Sequence, residues 1–169
     1  MTKVVDTNVP LITKLPDGHP TELVDECAKI LENIIENGIP VVTDDAGEMV
    51  EEYFHKLSRS GQPTLGDAFA RYVFDNRYGW DEAMRPDIEP HTSTENSYAV
   101  LAADDDEIDP SDRKFVATAK VALAPVLQAA DTKWLNWGEV LRRHGVIVEY
   151  VHEPSIRAAY RAKFGYDAP

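Results

Sequence analysis

One cysteine in 169 residues, Cys27, leaves no partner for an intrachain disulfide. It falls in line with Leu23, Ile30, Leu31, Ile34 and Ile35, the place of a small buried hydrophobe rather than a reactive thiol. No apolar run approaches the ~20 residues that a membrane-spanning helix needs. Met1-Thr2-Lys3-Val4-Val5 passes into a short apolar run with no signal-peptide core, so the cytoplasm is the expected compartment and no membrane partner is expected. The five histidines (His19, His55, His91, His144 and His152) are scattered and, with one cysteine, make no ligand set of zinc type. Basic residues are scarce as well. There are 17 Lys+Arg against 30 Asp+Glu, a net charge of -13, so the field of the whole molecule opposes non-specific binding to nucleic acid. Any basic face must come from the last third of the chain together with Arg71, Arg77 and Arg85. Residues 1–110 carry 8 Lys+Arg against 24 Asp+Glu, whereas 111–169 carry 9 against 6.

What remains is ordinary for a folded chain. The hydrophobic fraction of 43% excludes a disordered composition, and the length suits one domain over 1–169. Strands are expected at 3–6, 39–43, 124–130 and 146–151, each a short apolar run. Helices are expected at 21–37, from about 46 to 60, at 64–78, from 110 to about 122, at 134–144 and at 154–164. Thr21 is the expected cap of the first helix, and Gly38 its stop. Asp45-Ala46-Gly47-Glu48 fits a capping box for the second. Gly61-Gln62-Pro63 breaks that helix, and Pro110 suits a first helical turn. The stretch 79–109 is an irregular acidic insert, with a short strand expected near 87–91 or 98–102. Strands alternating with helices give an α/β class with a mainly parallel sheet.

In such a sheet, ligands bind at the carboxyl ends of the strands, where the following helices also begin. Asp6 ends the first strand and Asp131 follows the third. Asp112 lies in the first turn of a helix, in line with Phe115, Val116 and Ala119. These three acids therefore reach one edge. A fourth acid sits about two turns into the helix after the second strand, and helical geometry alone does not choose between Glu51 and Glu52. Each acid also has a plainer reading: a polar strand end, a partner to an Asp109 cap, or a solvated charge. Clustered, they would repel one another, and a divalent cation relieves the repulsion. An all-oxygen set suits Mg²⁺ or Mn²⁺, which activate water and neutralise charge building on a phosphodiester.

The four acids in order resemble the motifs of PIN domains. Val4-Val5-Asp6-Thr7-Asn8 resembles the opening motif. Glu52-Tyr53 resembles the second, which selects Glu52. Asp112-Arg113-Lys114-Phe115 resembles the third, and Ala130-Asp131-Thr132-Lys133-Trp134 the fourth. The resemblance covers roughly residues 2–152. It implies a three-layer α/β/α sandwich and metal-dependent endoribonuclease activity, as in the toxin half of toxin–antitoxin pairs. Asp6, Glu52, Asp112 and Asp131 would then be the metal-binding catalytic acids, with Asn8 or Thr132 as a polar helper. Arg113, Lys114 and Lys133 flank them as candidate phosphate contacts. The implied partners are an RNA substrate, an antitoxin protein and a second copy of the chain. The chain departs from the family pattern in carrying Lys133 where an acid is often found.

Two other readings compete. A haloacid-dehalogenase-like phosphatase also starts from an Asp ending strand one, but it needs a second Asp two residues on, where Asn8 stands. The non-enzymatic alternative is a weak or inactive PIN-like binding module that meets a protein partner through its acidic surface and through Trp80, Trp134 and Trp137. The basic helix at the C-terminus, with Arg157, Arg161 and Lys163, reads as a docking helix.

Overall fold

The computed structural model describes residues 2–101 and 106–169. Three short strands pair in parallel in the order β1 (Val4–Val5), β2 (Val126–Gln128), β3 (Val148–Tyr150), with Val4 beside Val126 and Val126 beside Val148. A parallel bridge from Lys3 to Val41 adds a fourth line on the far side of β1, sealed by the Val42 N–H on the Lys3 carbonyl at 3.0 Å. The main sheet is thus all-parallel in an α/β fold. Its chain runs outward from β1 to the Val41 segment, then back across to β2 and on to β3. The direction of winding reverses between β1 and β2, and a crevice opens at the carboxyl ends of strands flanking such a reversal.

Seven α-helices lie among the described residues: α1 (Asn8–Lys14), α2 (Thr21–Glu36), α3 (Glu48–Lys56), α4 (Leu65–Asn76), α5 (Arg113–Ala122), α6 (Gly138–Arg143) and α7 (Glu153–Phe164). None is long and apolar enough to cross a membrane. α2 follows its periodicity, burying Leu23, Cys27, Leu31 and Ile34 on one stripe. α5 buries Phe115, Val116 and Ala119 and packs on β1 and β2. α7 docks through Ile156 and Tyr160 onto Leu135.

Several local expectations are corrected. Thr21 does not cap α2. The N-cap is Pro20, whose fixed φ of -58° sets the entry, and Thr21 is already helical. The N-cap of α3 is Gly47, left-handed at φ 82°, not Asp45, and the first N–H groups of the helix, those of Glu48 and Met49, are taken by the Asp44 carboxylate at 2.9 and 2.8 Å. The capping box lies one helix later, between Thr64 and Asp67. α3 stops at Lys56 because buried Leu57 turns extended and the Ser58 N–H leaves the helix for the Asp67 carboxylate at 2.6 Å. The second strand shrinks to the Val41 bridge. The strand expected in 79–109 shrinks to one antiparallel bridge, Pro90 to Tyr98, and its end at 102 lies outside the described residues, as do Asp104 and Asp105 of the acidic run. That stretch is nonetheless anchored, since Ile88, Tyr98, Leu101 and Ile108 are buried in the main core.

α1 carries no helix signal in the sequence. Pro10 conceals it, yet Pro10 sits in the first turn, where a missing N–H costs nothing. α1 packs closely on α4, and the approach is permitted by Gly66: a Cβ there would stand 2.1 Å from the Pro10 carbonyl oxygen. Gly66→Ala gains about 1 kcal/mol of helix propensity but forces two backbones apart, so the clash wins. A net loss of roughly 2 kcal/mol is expected in a urea melt; an unchanged midpoint would show that the α1–α4 seam yields freely.

Candidate active site

β1 delivers Asp6 into the crevice beside β2, where its N–H is bonded to the Leu127 carbonyl at 3.0 Å. The side chain is 3% exposed. Its Oδ2 accepts from the Asn8 N–H at 3.2 Å and from the Asn8 side-chain amide at 3.3 Å, both at the start of α1. The same Asn8 amide reaches the Gln128 Oε1 at 3.5 Å. Gln128 is a fully buried polar residue inside an apolar strand. Its Oε1 also takes the Ala129 and Asp131 N–H groups, at 3.0 and 3.2 Å, and so sets the loop that carries Asp131.

Glu52 faces the crevice from α3 while Glu51 is exposed. One oxygen of Glu52 accepts from the Thr7 hydroxyl and the other meets the Lys114 Nζ at 3.0 Å. Asp112 closes a 3-10 turn, Pro110–Asp112, and is 7% exposed. Asp109, at the cap position, makes no side-chain cap bond. Its carboxylate turns instead to Lys133. Asp131 caps the 3-10 turn Thr132–Trp137 through the Lys133 N–H at 3.1 Å, and Thr132 is buried behind it. The four acids thus come from four separate segments to one edge.

The cations expected to grip phosphate are already engaged. Lys133 Nζ lies 2.5 Å from Asp109, 3.5 Å from Asp112 and 3.4 Å from Asp131. Lys114, 7% exposed, sits between Glu52 and the Ser111 carbonyl, the latter at 2.9 Å. Arg113 donates to the Ile108 and Asn96 carbonyls at 3.0 and 3.3 Å and ties the 79–109 stretch down. Trp134 is buried, with Trp137 tilted against it at 5.4 Å, and Trp80 packs on Tyr72.

Charge compensation is uneven. Burial, then the charge of Asp112, pushes the Asp6 carboxyl up to about 7, against the Asn8 N–H. Burial, then Asp131, raises Asp112 to about 6, against Lys133. Burial works to neutralise Lys133, but Asp109, Asp112 and Asp131 outweigh it and hold the ammonium above its ordinary range. The Tyr53 hydroxyl, buried beneath, donates to the Val5 carbonyl at 2.5 Å and is pushed upward by burial and then by Asp6.

Among the described residues, no group of three or more His, Cys, Asp or Glu stands in metal-holding array. The donor chemistry still fits a hard divalent cation: an all-carboxylate set, with two members, Asp6 and Asp112, driven toward neutrality by burial and by neighbouring carboxylates. Nothing in the sequence marks Thr7 as the partner of Glu52 or Gln128 as the organiser of the Asp131 loop. A polar residue inside the apolar run 124–130 was the available signal for Gln128. No family model, no curated protein and no solved structure matches the chain.

Proposed function

We propose that the chain is a PIN-like, metal-dependent endoribonuclease built as a three-layer α/β/α sandwich. Asp6, Glu52, Asp112 and Asp131 would hold Mg²⁺ or Mn²⁺. The observation that carries this is the burial of Asp6 and Asp112, whose carboxyls repel each other at the winding reversal of a parallel sheet. Folding keeps such a conflict only where something else offsets it, and strongly perturbed acids cluster at functional sites. A bound ion would supply the concentrated positive charge that a phosphodiester needs as negative charge builds on its oxygens. In this chain, Asn8 and Gln128 orient Asp6 and the Asp131 loop, and Thr7 orients Glu52. With an ion held by these acids, Lys114 and Lys133 would be free to turn to substrate phosphates. RNA is the substrate class in this reading, an antitoxin protein and a second copy of the chain are its partners, and the cytoplasm is its compartment.

Labelled single-stranded RNA incubated with Mn²⁺, Mg²⁺ or chelator should be cut only with metal. Asp6→Asn should lower the rate by at least ~10³-fold. Cleavage that survives in the variant would remove the acids from the reaction.

A specific observation favours a second reading, the inactive binding module. Lys133 already bridges three carboxylates, as an internal counter-ion in place of a metal. Absence of Mn²⁺ binding by titration calorimetry would decide for it.

A further inference from the structure

The acids occupy one side of α3, and the opposite chemistry lies next to them. In residues 1–110 arginine occurs four times, as Arg59, Arg71, Arg77 and Arg85. All four converge on one aromatic face. Arg59 lies 4.8 Å over the Phe54 ring, and Arg71 5.5 Å over Phe74. Arg77 stands between Phe74 and Tyr78, at 4.3 and 4.4 Å, and Arg85 lies 4.9 Å from Tyr78. Phe54 and Phe74 meet edge-on at 5.4 Å. Tyr78 is 68% exposed, high for an aromatic residue with no core role. Arg71 is paired with Asp75, and Arg85 faces Asp45 at 3.8 Å. Among the described residues, Arg59 and Arg77 have no carboxylate partner.

Between these side chains runs a cleft of about 290 Å³, lined by Phe54, Arg59, Phe74, Arg77 and Tyr78, with Glu51 at its margin. Glu51 also lines the adjoining cleft, where Glu48, Glu52 and Glu95 stand with His55 and Lys114. The aromatic face therefore leads to the acids.

We propose that the Phe54–Phe74–Tyr78 face, with Arg59, Arg77 and Arg85, is a platform for single-stranded RNA that feeds the strand toward Glu52. The inference rests on the nuclease reading for its destination but not for its binding chemistry. The exposed Tyr78 ring can take an unstacked base of any sequence, with the half-buried Phe54 and Phe74 behind it, and guanidinium forks donate to phosphate oxygens. A duplex presents no free base faces, and an acidic peptide would use the arginines while leaving Tyr78 idle. Charge favours the same ligand. Within the acidic first two-thirds of the chain, this is the place where arginines gather, so it is where that part of the molecule attracts a polyanion.

The test is fluorescence anisotropy of a labelled single-stranded RNA of about 12 nucleotides, an order of size that spans such a site, with the full chain in chelator so that no cleavage intervenes. Wild type should bind with a salt slope of about -2, one 0.7 increment per phosphate held by an arginine. Tyr78→Ala, at an exposed position that does not threaten folding, should weaken binding about tenfold. Arg59→Gln with Arg77→Gln should flatten the salt slope. Lys163→Gln on α7 should change neither. Wild-type binding by Tyr78→Ala, equal affinity for a duplex of the same sequence, or full displacement by a polyglutamate peptide would each overturn the platform. Metal-dependent cleavage retained alongside such a result would leave the nuclease reading intact. Platform-dependent binding without cleavage would do the reverse.

Discussion

Asp6→Asn should make the metal-free protein more stable at pH 8, by roughly 2–4 kcal/mol. Asparagine keeps an oxygen for the Asn8 N–H and carries no charge into a site that is 3% exposed. The sign follows from the wild-type carboxyl, which folding lifts from its ordinary value of 3.8 to about 7. A raised folded pKa means that the native state holds a proton more tightly than the unfolded chain. That stability is full below about pH 4 and is lost as pH rises through about 7. Asp112, lifted to about 6, acts in the same window and direction. In chelator, wild-type Tm should therefore fall between pH 5 and pH 8, and the fall should shrink in the variant. For a chain of this size the difference at pH 8 corresponds to about 5–10 °C. Millimolar Mn²⁺ should replace the proton and restore wild type, leaving the variant behind. A flat wild-type profile in chelator, or a variant that melts lower at pH 8, would show that the carboxylate is compensated within the protein.

Lys133→Met separates the two functional readings. The ammonium touches Asp109, Asp112 and Asp131, so an incoming divalent ion must contend with a cation already in the cluster. Opposite charges about 4 Å apart are worth a few kcal/mol at a partly screened site, and removal of a competing charge returns part of that to the metal. In the nuclease reading, Mn²⁺ affinity rises on the order of tenfold or more, and metal-free Tm falls because three carboxylates lose their counter-ion. In the binding-module reading, the variant loses stability and still takes no metal. Titration calorimetry beside a melt reads both quantities on one preparation. Unchanged Tm and unchanged Mn²⁺ affinity would contradict both, since each requires the ammonium to matter.

Much of the scaffold was legible because its causes are local. β1, β2 and β3 lie within short, mostly apolar runs between turn signals, and α2 shows its buried stripe at helical spacing. The position of Asp6 and Asp131 at the carboxyl edge follows from strand ends alone. α1 was hidden because Pro10 counts against a helix unless its position in the first turn is known. The helix start at α3 is not legible in the same way, because Asp44 and Asp45 are equally good acceptors on paper, and only the path of the buried loop turns Asp44 onto the first N–H groups past the Gly47 cap.

The alternation of strands and helices and the order of four acids along the chain are properties of the sequence. It also set the shortage of basic residues that makes any arginine cluster matter. Tertiary structure alone decided how those charges are compensated. Glu52 rather than Glu51 meets Thr7 and Lys114 because of the way α3 is rolled against β1 and α5. Lys133 is drawn among three carboxylates instead of lying free, and arginines up to 26 positions apart close on one aromatic face. Periodicity and capping act over a few residues and can be read along the chain. Coulomb interaction and desolvation depend on distance and burial in space, which exist only once the segments are packed.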